Sequence, residues 1–300
     1  MAADQDHDVF DPDFLQRLRT LFFKLRRRRM LKQKGVQQTQ AVGFTREFKD
    51  YRHYTRSDDY RAIDWRLFAR VERLFVKLYE EIQEFHVHIL VDTSRSMIEP
   101  YPRKRVATLR LAVALAYLGL MNQHRVSLAT FGTGMKTEVP PLKGQGHIHR
   151  ILQHVVGLEF DGVTHLESLK QFRPSRGRRG IVFILSDLLG REPEESAEAL
   201  QVTTSWPAET HVVHMLEPEE MRPTIDGEVR LIDVETQEQR QLTLTRRDME
   251  RYAAAFQQYL HDLGQSCLRR QVDYVTWRTD LAFEKLFLEL LSRGSALSQG

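Results

Sequence analysis

The segment His86-Val87-His88-Ile89-Leu90-Val91-Asp92-Thr93-Ser94-Arg95-Ser96-Met97 decides how the rest of the chain reads. The apolar run from Val87 to Val91 has the composition of a buried strand. It ends in Asp-x-Ser-x-Ser, which sets one carboxylate and two hydroxyls on a single loop. These hard oxygen donors suit Mg²⁺, which prefers oxygen and usually keeps part of its water shell. An ion held this way has an open face, and what fills that face is the functional question.

Strand and helix signals alternate outward from this segment. Strands are expected at 86–91, 125–131, 180–186, 209–216 and 272–278, and helices at 103–121, 147–156, 166–172, 193–203, 245–263 and 281–291. That rhythm predicts an α/β fold, a mostly parallel sheet with helices on both faces. Two alternating segments, 227–233 and 239–244, flank Glu235-Thr236-Gln237. They predict a β-hairpin inserted between the strand at 209–216 and the helix that Thr245 begins. Upstream, Phe14, Leu15, Leu18, Leu21, Phe22 and Leu25 recur at helical spacing over 13–34, and Gly35 ends that element. Residues 36–60 are polar with scattered aromatics, and 74–79 alternate like a strand.

Ligands of parallel α/β sheets bind outside the carboxyl ends of the strands. Three loops there carry oxygen ligands: Asp92, Ser94 and Ser96; Gly162-Val163-Thr164; and Ser186-Asp187. Together they offer a donor set that a six-coordinate hard cation could use.

These three loops resemble the metal-ion-dependent adhesion site of von Willebrand factor A-type domains. The resemblance implies a Rossmann-type sheet and an ion held by Asp92, Ser94, Ser96, Thr164 and Asp187. That ion would be Mg²⁺, with Mn²⁺ and Ca²⁺ as alternatives. The serines would ligate directly, Thr164 and the aspartates directly or through water, and a partner carboxylate would complete the shell. The preceding segment is similar to the signature of the domain of unknown function 58 family. It comprises Gly43-Phe44, Glu47-Phe48, Tyr51-Arg52, Tyr54, Asp58-Asp59-x-Arg61-x-Ile63-Asp64-Trp65, Ala69-Arg70, Val76-Lys77 and Tyr79-Glu80-Glu81, with Ser57 where members often have Gly. This resemblance runs over 35–293. It implies action beside a MoxR-type AAA+ ATPase in assembling or activating other proteins, and no enzymatic activity. The expected arrangement is a basic helix at 1–34, a β-rich extension at 35–85, a von Willebrand factor A-like domain at 86–293 with the hairpin near 225–244, and a tail at 294–300.

Composition bounds the remaining classes. With 300 residues, 41% hydrophobic and 28% charged, the chain can build a core and stay in solution. No apolar run approaches bilayer length. The acidic start (Asp4, Asp6, Asp8, Asp11, Asp13) lacks a secretory pattern, and the single Cys267 permits no internal disulfide. A cytoplasmic location is expected, with peripheral membrane contact left open. A formal charge of +3 does not mark a nucleic-acid protein. The run Arg26–Arg29 with Lys32 and Lys34 reads as a solvated helix face, or as a contact for anionic lipid, nucleic acid or an acidic partner.

Competing readings attach to several motifs. Asp92 could simply cap the following helix, with the serines as turn residues. Haloacid-dehalogenase phosphatases also begin with Asp after a strand, but they use a second Asp two positions on, where Ser94 stands. An Mg²⁺-dependent hydrolase using Asp92 is therefore the enzymatic alternative. Gly132–Thr137 lacks phosphate-loop spacing, and the twelve histidines show no zinc spacing, so they read as structural or surface residues. Asp58–Trp65 reads either as a docking surface or as a turn and helix cap, with Asp64 paired to an arginine and Trp65 in the core.

Overall fold

The run that opens the sequence reading forms strand β3 (His86–Asp92), and every residue of it is buried. A computed structural model describes residues 10, 13–21, 46–55, 58–81, 85–174, 180–190 and 193–293, with only the backbone at 46–50, 77–81, 193 and 293. Arg26–Arg29, Lys32, Lys34, Gly35, Gly43-Phe44, Ser57 and the tail at 294–300 lie outside the described residues. The chain divides into two compact units, Met1–Arg28 with Glu84–Gln299, and Arg29–Gln83.

In the larger unit β3 is central to a six-stranded sheet of order β10-β7-β6-β3-β4-β5. Its neighbours are β4 (Arg125–Phe131), β5 (Lys136–Lys143), β6 (Gly180–Ser186), β7 (Ala208–Leu216) and β10 (Asp273–Arg278). All pairings are parallel except β4 with β5. A strand buried on both faces sends alternate residues to opposite sides. Val87, Ile89 and Val91 enter one core with Ile181, Phe183, Leu185, Val213 and Met215, while Leu90 enters the other with Val182, Ile184 and Val212. The first core is closed by α3 (Arg103–Met121), α4 (Ile148–Val156), α8 (Phe283–Arg293) and the helical residues 14–21, here α1. Phe14, Leu18 and Leu21 of α1 are buried at i, i+4 and i+7, and Phe14 meets the Phe283 ring edge-on at 5.8 Å. The second core lies under α5 (Pro193–Ala199) and α7 (Arg246–Arg269). This is the mostly parallel α/β sheet with helices on both faces that the alternation predicted.

Three local expectations need correction. Strand β5 was not anticipated, because Pro140 and Pro141 break its pattern; it is an edge strand, where a missing N–H costs little. Residues 166–171 form a 3-10 helix rather than an α-helix. After α5 the chain tightens into another 3-10 helix over Leu200–Ser205, where Thr203, Thr204 and Ser205 donate their hydroxyls to carbonyls three residues back.

In the smaller unit, β1 (Arg46–His53) pairs antiparallel with β2 (Phe75–Glu81), and α2 (Trp65–Val71) lies between them in sequence. Asp58 accepts from Thr55 N and Oγ1, and Asp59 caps the 3-10 turn Tyr60–Ala62 through Arg61 N. Asp64 caps α2 through Arg66 N and Leu67 N and accepts from Tyr51 Oη at 2.9 Å. Trp65 is not a core residue. It is 59% exposed, because the cap turns Asp64 inward and leaves the next position facing out against Phe68.

Gly119 sets how closely α3 approaches β4, since a Cβ there would meet Val126 Cγ2 at 2.6 Å. Gly119→Ala should lower unfolding free energy by about 1–3 kcal/mol through overpacking, measurable by urea denaturation.

Candidate functional site

Register builds the site. Val91 of β3 pairs with Leu185 of β6, so Asp92 and Ser186 end adjacent strands side by side. Ser186 Oγ donates to Asp92 Oδ2 at 2.5 Å, and Ser94 N donates to Asp92 Oδ1 at 3.0 Å. Ser94 Oγ and Ser96 Oγ share a hydrogen bond at 3.0 Å. The 3-10 turn Arg95–Met97 folds the second serine back toward the first. Asp92, Ser94, Ser96, Thr164 and Asp187 are all buried.

The second loop is held against the first by backbone. Ser94 and Gly162 form a parallel bridge, Arg95 N donates to Gly162 O at 2.8 Å, and Gly162 N donates to Thr93 O at 3.3 Å. A Cβ at 162 would stand 3.3 Å from Thr93 O, so glycine permits the close approach. Thr164 follows two residues on. Its own polar atoms turn to the hairpin of β8 (Gly227–Ile232) and β9 (Gln239–Leu244): Thr164 Oγ1 donates to Glu235 Oε1 at 2.6 Å and Thr164 N to Glu235 Oε2 at 3.0 Å. The hairpin lies where the alternating segments placed it.

The third loop brings a cation. Lys104, on the first turn of α3, is fully buried; its Nζ donates to Asp187 Oδ2 at 2.8 Å and to Glu220 Oε1 at 2.6 Å. Glu220 belongs to α6 (Pro218–Met221), and its other oxygen accepts from Glu217 N at 3.0 Å. Asp187 Oδ1 accepts from Leu189 N at 3.3 Å. Burial pushes the Asp92 carboxyl up to about 7, the charge of Asp187 adds to the rise, and the bonds from Ser186 and Ser94 oppose it. A second acid beside a buried carboxylate raises the cost of ionising both, which a cation between them would relieve.

Sequence reading named Asp92, Ser94, Ser96, Thr164 and Asp187 but not Lys104, Glu220 or Glu235, which the structure adds around them. Lys104 sits in a run of basic residues that reads as surface, and Glu235 lies at a hairpin tip, where acids are ordinary. Nothing in the spacing signals either contact.

Another group of ligating side chains occupies the opposite, amino end of the sheet. Glu209, His211 and Asp273 could hold a metal ion, with one ligand atom from each within 4.8 Å of the others. Pairing of Asp273 with His211 across β10 and β7 brings them together. The carboxylates address different ring nitrogens, Glu209 at Nε2 and Asp273 at Nδ1, each at 3.1 Å. One ion can take only one of those nitrogens, so as it stands the imidazole lies between two acids, one beside each ring nitrogen. Burial pulls the His211 pKa down, but Asp273 and Glu209 together outweigh it and the net direction is up.

The family is decided by comparison with known sequences. The profile described as "Protein of unknown function DUF58" matches residues 50–260. The chain belongs to this family. Uncharacterized proteins of Mycobacterium bovis and Mycobacterium tuberculosis are each 27% identical to this DUF58 chain over 264 residues, 83% of its length and 80% of theirs. Among solved structures, the conserved hypothetical protein BatB from Bacteroides thetaiotaomicron overlays with a TM-score of 0.42 at 14% identity, covering 72% of this chain and 100% of that one. A von Willebrand factor type A structure from Catenulispora acidiphila overlays with a TM-score of 0.38 at 15% identity, covering 73% and 43%.

Replacing Lys104 by Met should destabilise this DUF58 protein by about 3–5 kcal/mol at neutral pH, because Asp187 and Glu220 lose their buried counter-charge. Denaturant unfolding would measure it. The His211 bridge has the opposite acid–base sense from a paired acid. A raised folded pKa gives a contribution that is complete below the unfolded value of 6.5 and fades as pH rises through the folded value. The stability gap between wild type and His211→Asn should therefore be larger at pH 6 than at pH 9 in urea titrations.

Proposed function

We propose that this DUF58 protein is a non-catalytic binding module that holds Mg²⁺ on Asp92, Ser94, Ser96, Thr164 and Asp187 and presents it to a carboxylate of a partner protein. The observation that carries this reading is the Ser94–Ser96 pair beside a buried acid. Two oxygens bound at 2.0–2.1 Å on adjacent corners of an octahedron stand about 2.9 Å apart. The serine hydroxyls stand at 3.0 Å without rearrangement. The raised Asp92 pKa supports the same reading, since buried adjacent acids are a setting in which a dication is favoured.

When bound, the ion would supply an electrophilic centre for a charge-assisted contact with a carboxylate, which water replaces poorly. The protein's own part is positional. Ser186 and the Ser94 amide fix both Asp92 oxygens, Lys104 fixes one oxygen of Asp187, and the Gly162 bridge holds the threonine loop against the serine loop. Asp92 is buried with both oxygens engaged, which suits a ligand better than a nucleophile and favours binding over hydrolysis. By family resemblance the partner is a MoxR-type AAA+ ATPase or its client; the cytoplasmic setting we propose rests on composition and the single Cys267. No helix of the described residues is long and apolar enough to cross a membrane.

Calorimetry should show Mg²⁺ binding to the wild type and none to Asp92→Ala, with near-normal unfolding of the variant because the parallel sheet closes without the ion. Pull-down of the ATPase should fall when chelator is added. Equal recovery with and without chelator would refute the metal-dependent contact.

A further inference from the structure

The Glu235–Thr164 contact joins two parts of the chain 71 residues apart in sequence, and it lies on the threonine of the proposed ion site. The hairpin tip is built to present that carboxylate. Asp233 Oδ1 accepts from Glu235 N at 2.9 Å and from Thr236 N at 2.7 Å, and Gln237 N donates to Asp233 O at 2.9 Å. The tip also reaches the serine loop, where Arg95 Nη1 meets Val234 O at 3.5 Å. Thus residues 234 and 235 touch both loops that carry the proposed hydroxyl ligands.

The hairpin arm contrasts with its tip. Every residue of β8 and β9 is exposed except Val229 and Leu244, which are half-buried. Little apolar surface is buried along the arm, so lifting it exposes little more. The tip, not the arm, carries the specific polar contacts.

From this we infer that Glu235 is the chain's own occupant of the open face of the ion, and that a partner carboxylate binds by displacing it. The inference rests on the metal-site reading above. A hydroxyl has one proton and two lone pairs. The Thr164 hydroxyl can give its proton to Glu235 and still keep oxygen lone pairs for an ion. Glu235 Oε1 lies 2.6 Å from that oxygen, close to the separation of neighbouring ligand oxygens around a small cation. It has the chemistry expected of an incoming acidic partner. A self-capped state taxes the partner by the fraction of time the cap is open. A tip closed about nine-tenths of the time weakens apparent binding about tenfold.

Mn²⁺, which reports its bound waters through water-proton relaxation, tests this with the full chain. Glu235→Ala should bind Mn²⁺ and give a higher relaxivity than the wild type, because water enters the position the carboxylate left. Acetate, used as the probe carboxylate, should then quench the added relaxivity of Glu235→Ala by displacing that water and change the wild type little. Glu238→Gln removes a charge from the same tip without touching Thr164 and should behave as the wild type. Equal relaxivity and equal acetate titrations for wild type and Glu235→Ala, with Mn²⁺ bound in both, would overturn self-capping while leaving the metal site standing. An equal effect of Glu238→Gln would also overturn it, by reducing the role of Glu235 to general charge. Failure of both wild type and Glu235→Ala to bind Mn²⁺ would instead remove the metal site, and self-capping with it.

Discussion

Two acids with almost no exposure at the carboxyl edge of one sheet, Asp92 and Asp187, are the constraint around which the rest is organised. Parallel pairing of β3 with β6 forces them near each other, since both strands end at the same level. Buried like charges are costly unless hydrogen bonds, a counter-ion or protonation offsets them. The structure supplies the first two in different measure. Asp92 receives a hydroxyl and an amide, whereas Asp187 receives a buried ammonium.

That asymmetry divides the labour. Lys104 ties Asp187 to Glu220, so the start of α3, the end of β6 and α6 are joined in one network. Asp92, its carboxyl raised to about 7, is met instead by the Ser186 hydroxyl and the Ser94 amide. The Gly162 bridge then brings the threonine loop alongside, and an exposed ribbon drops one acid onto it.

The contrast between the two ends of the sheet sharpens the point. At the amino end, Glu209 and Asp273 flank an imidazole that can itself carry the compensating proton. At the carboxyl end, the donors around Asp92 are hydroxyls and an amide, which satisfy lone pairs but carry no charge. The first cluster can offset one of its two acids with a proton of its own, whereas at the second the only formal positive charge is Lys104, shared between Asp187 and Glu220.

Sequence alone determined the layer architecture and the oxygen inventory. Runs such as Ile181–Leu185, apolar at every position, and Val87–Val91, apolar except at His88, suit a strand covered on both faces, and Asp-x-Ser-x-Ser follows the second directly. Local period is written in adjacent residues and needs no partner to be read. What tertiary structure decided is which distant side chains meet those oxygens. Lys104 and Asp187 are 83 residues apart, and Thr164 and Glu235 are 71 apart. Trp65 shows the same limit in reverse, since whether a large aromatic is covered depends on which way a seven-residue helix turns its cap. Such contacts follow from strand register and loop trajectory, which are set by the packing of the whole core and leave no periodic trace in any one segment.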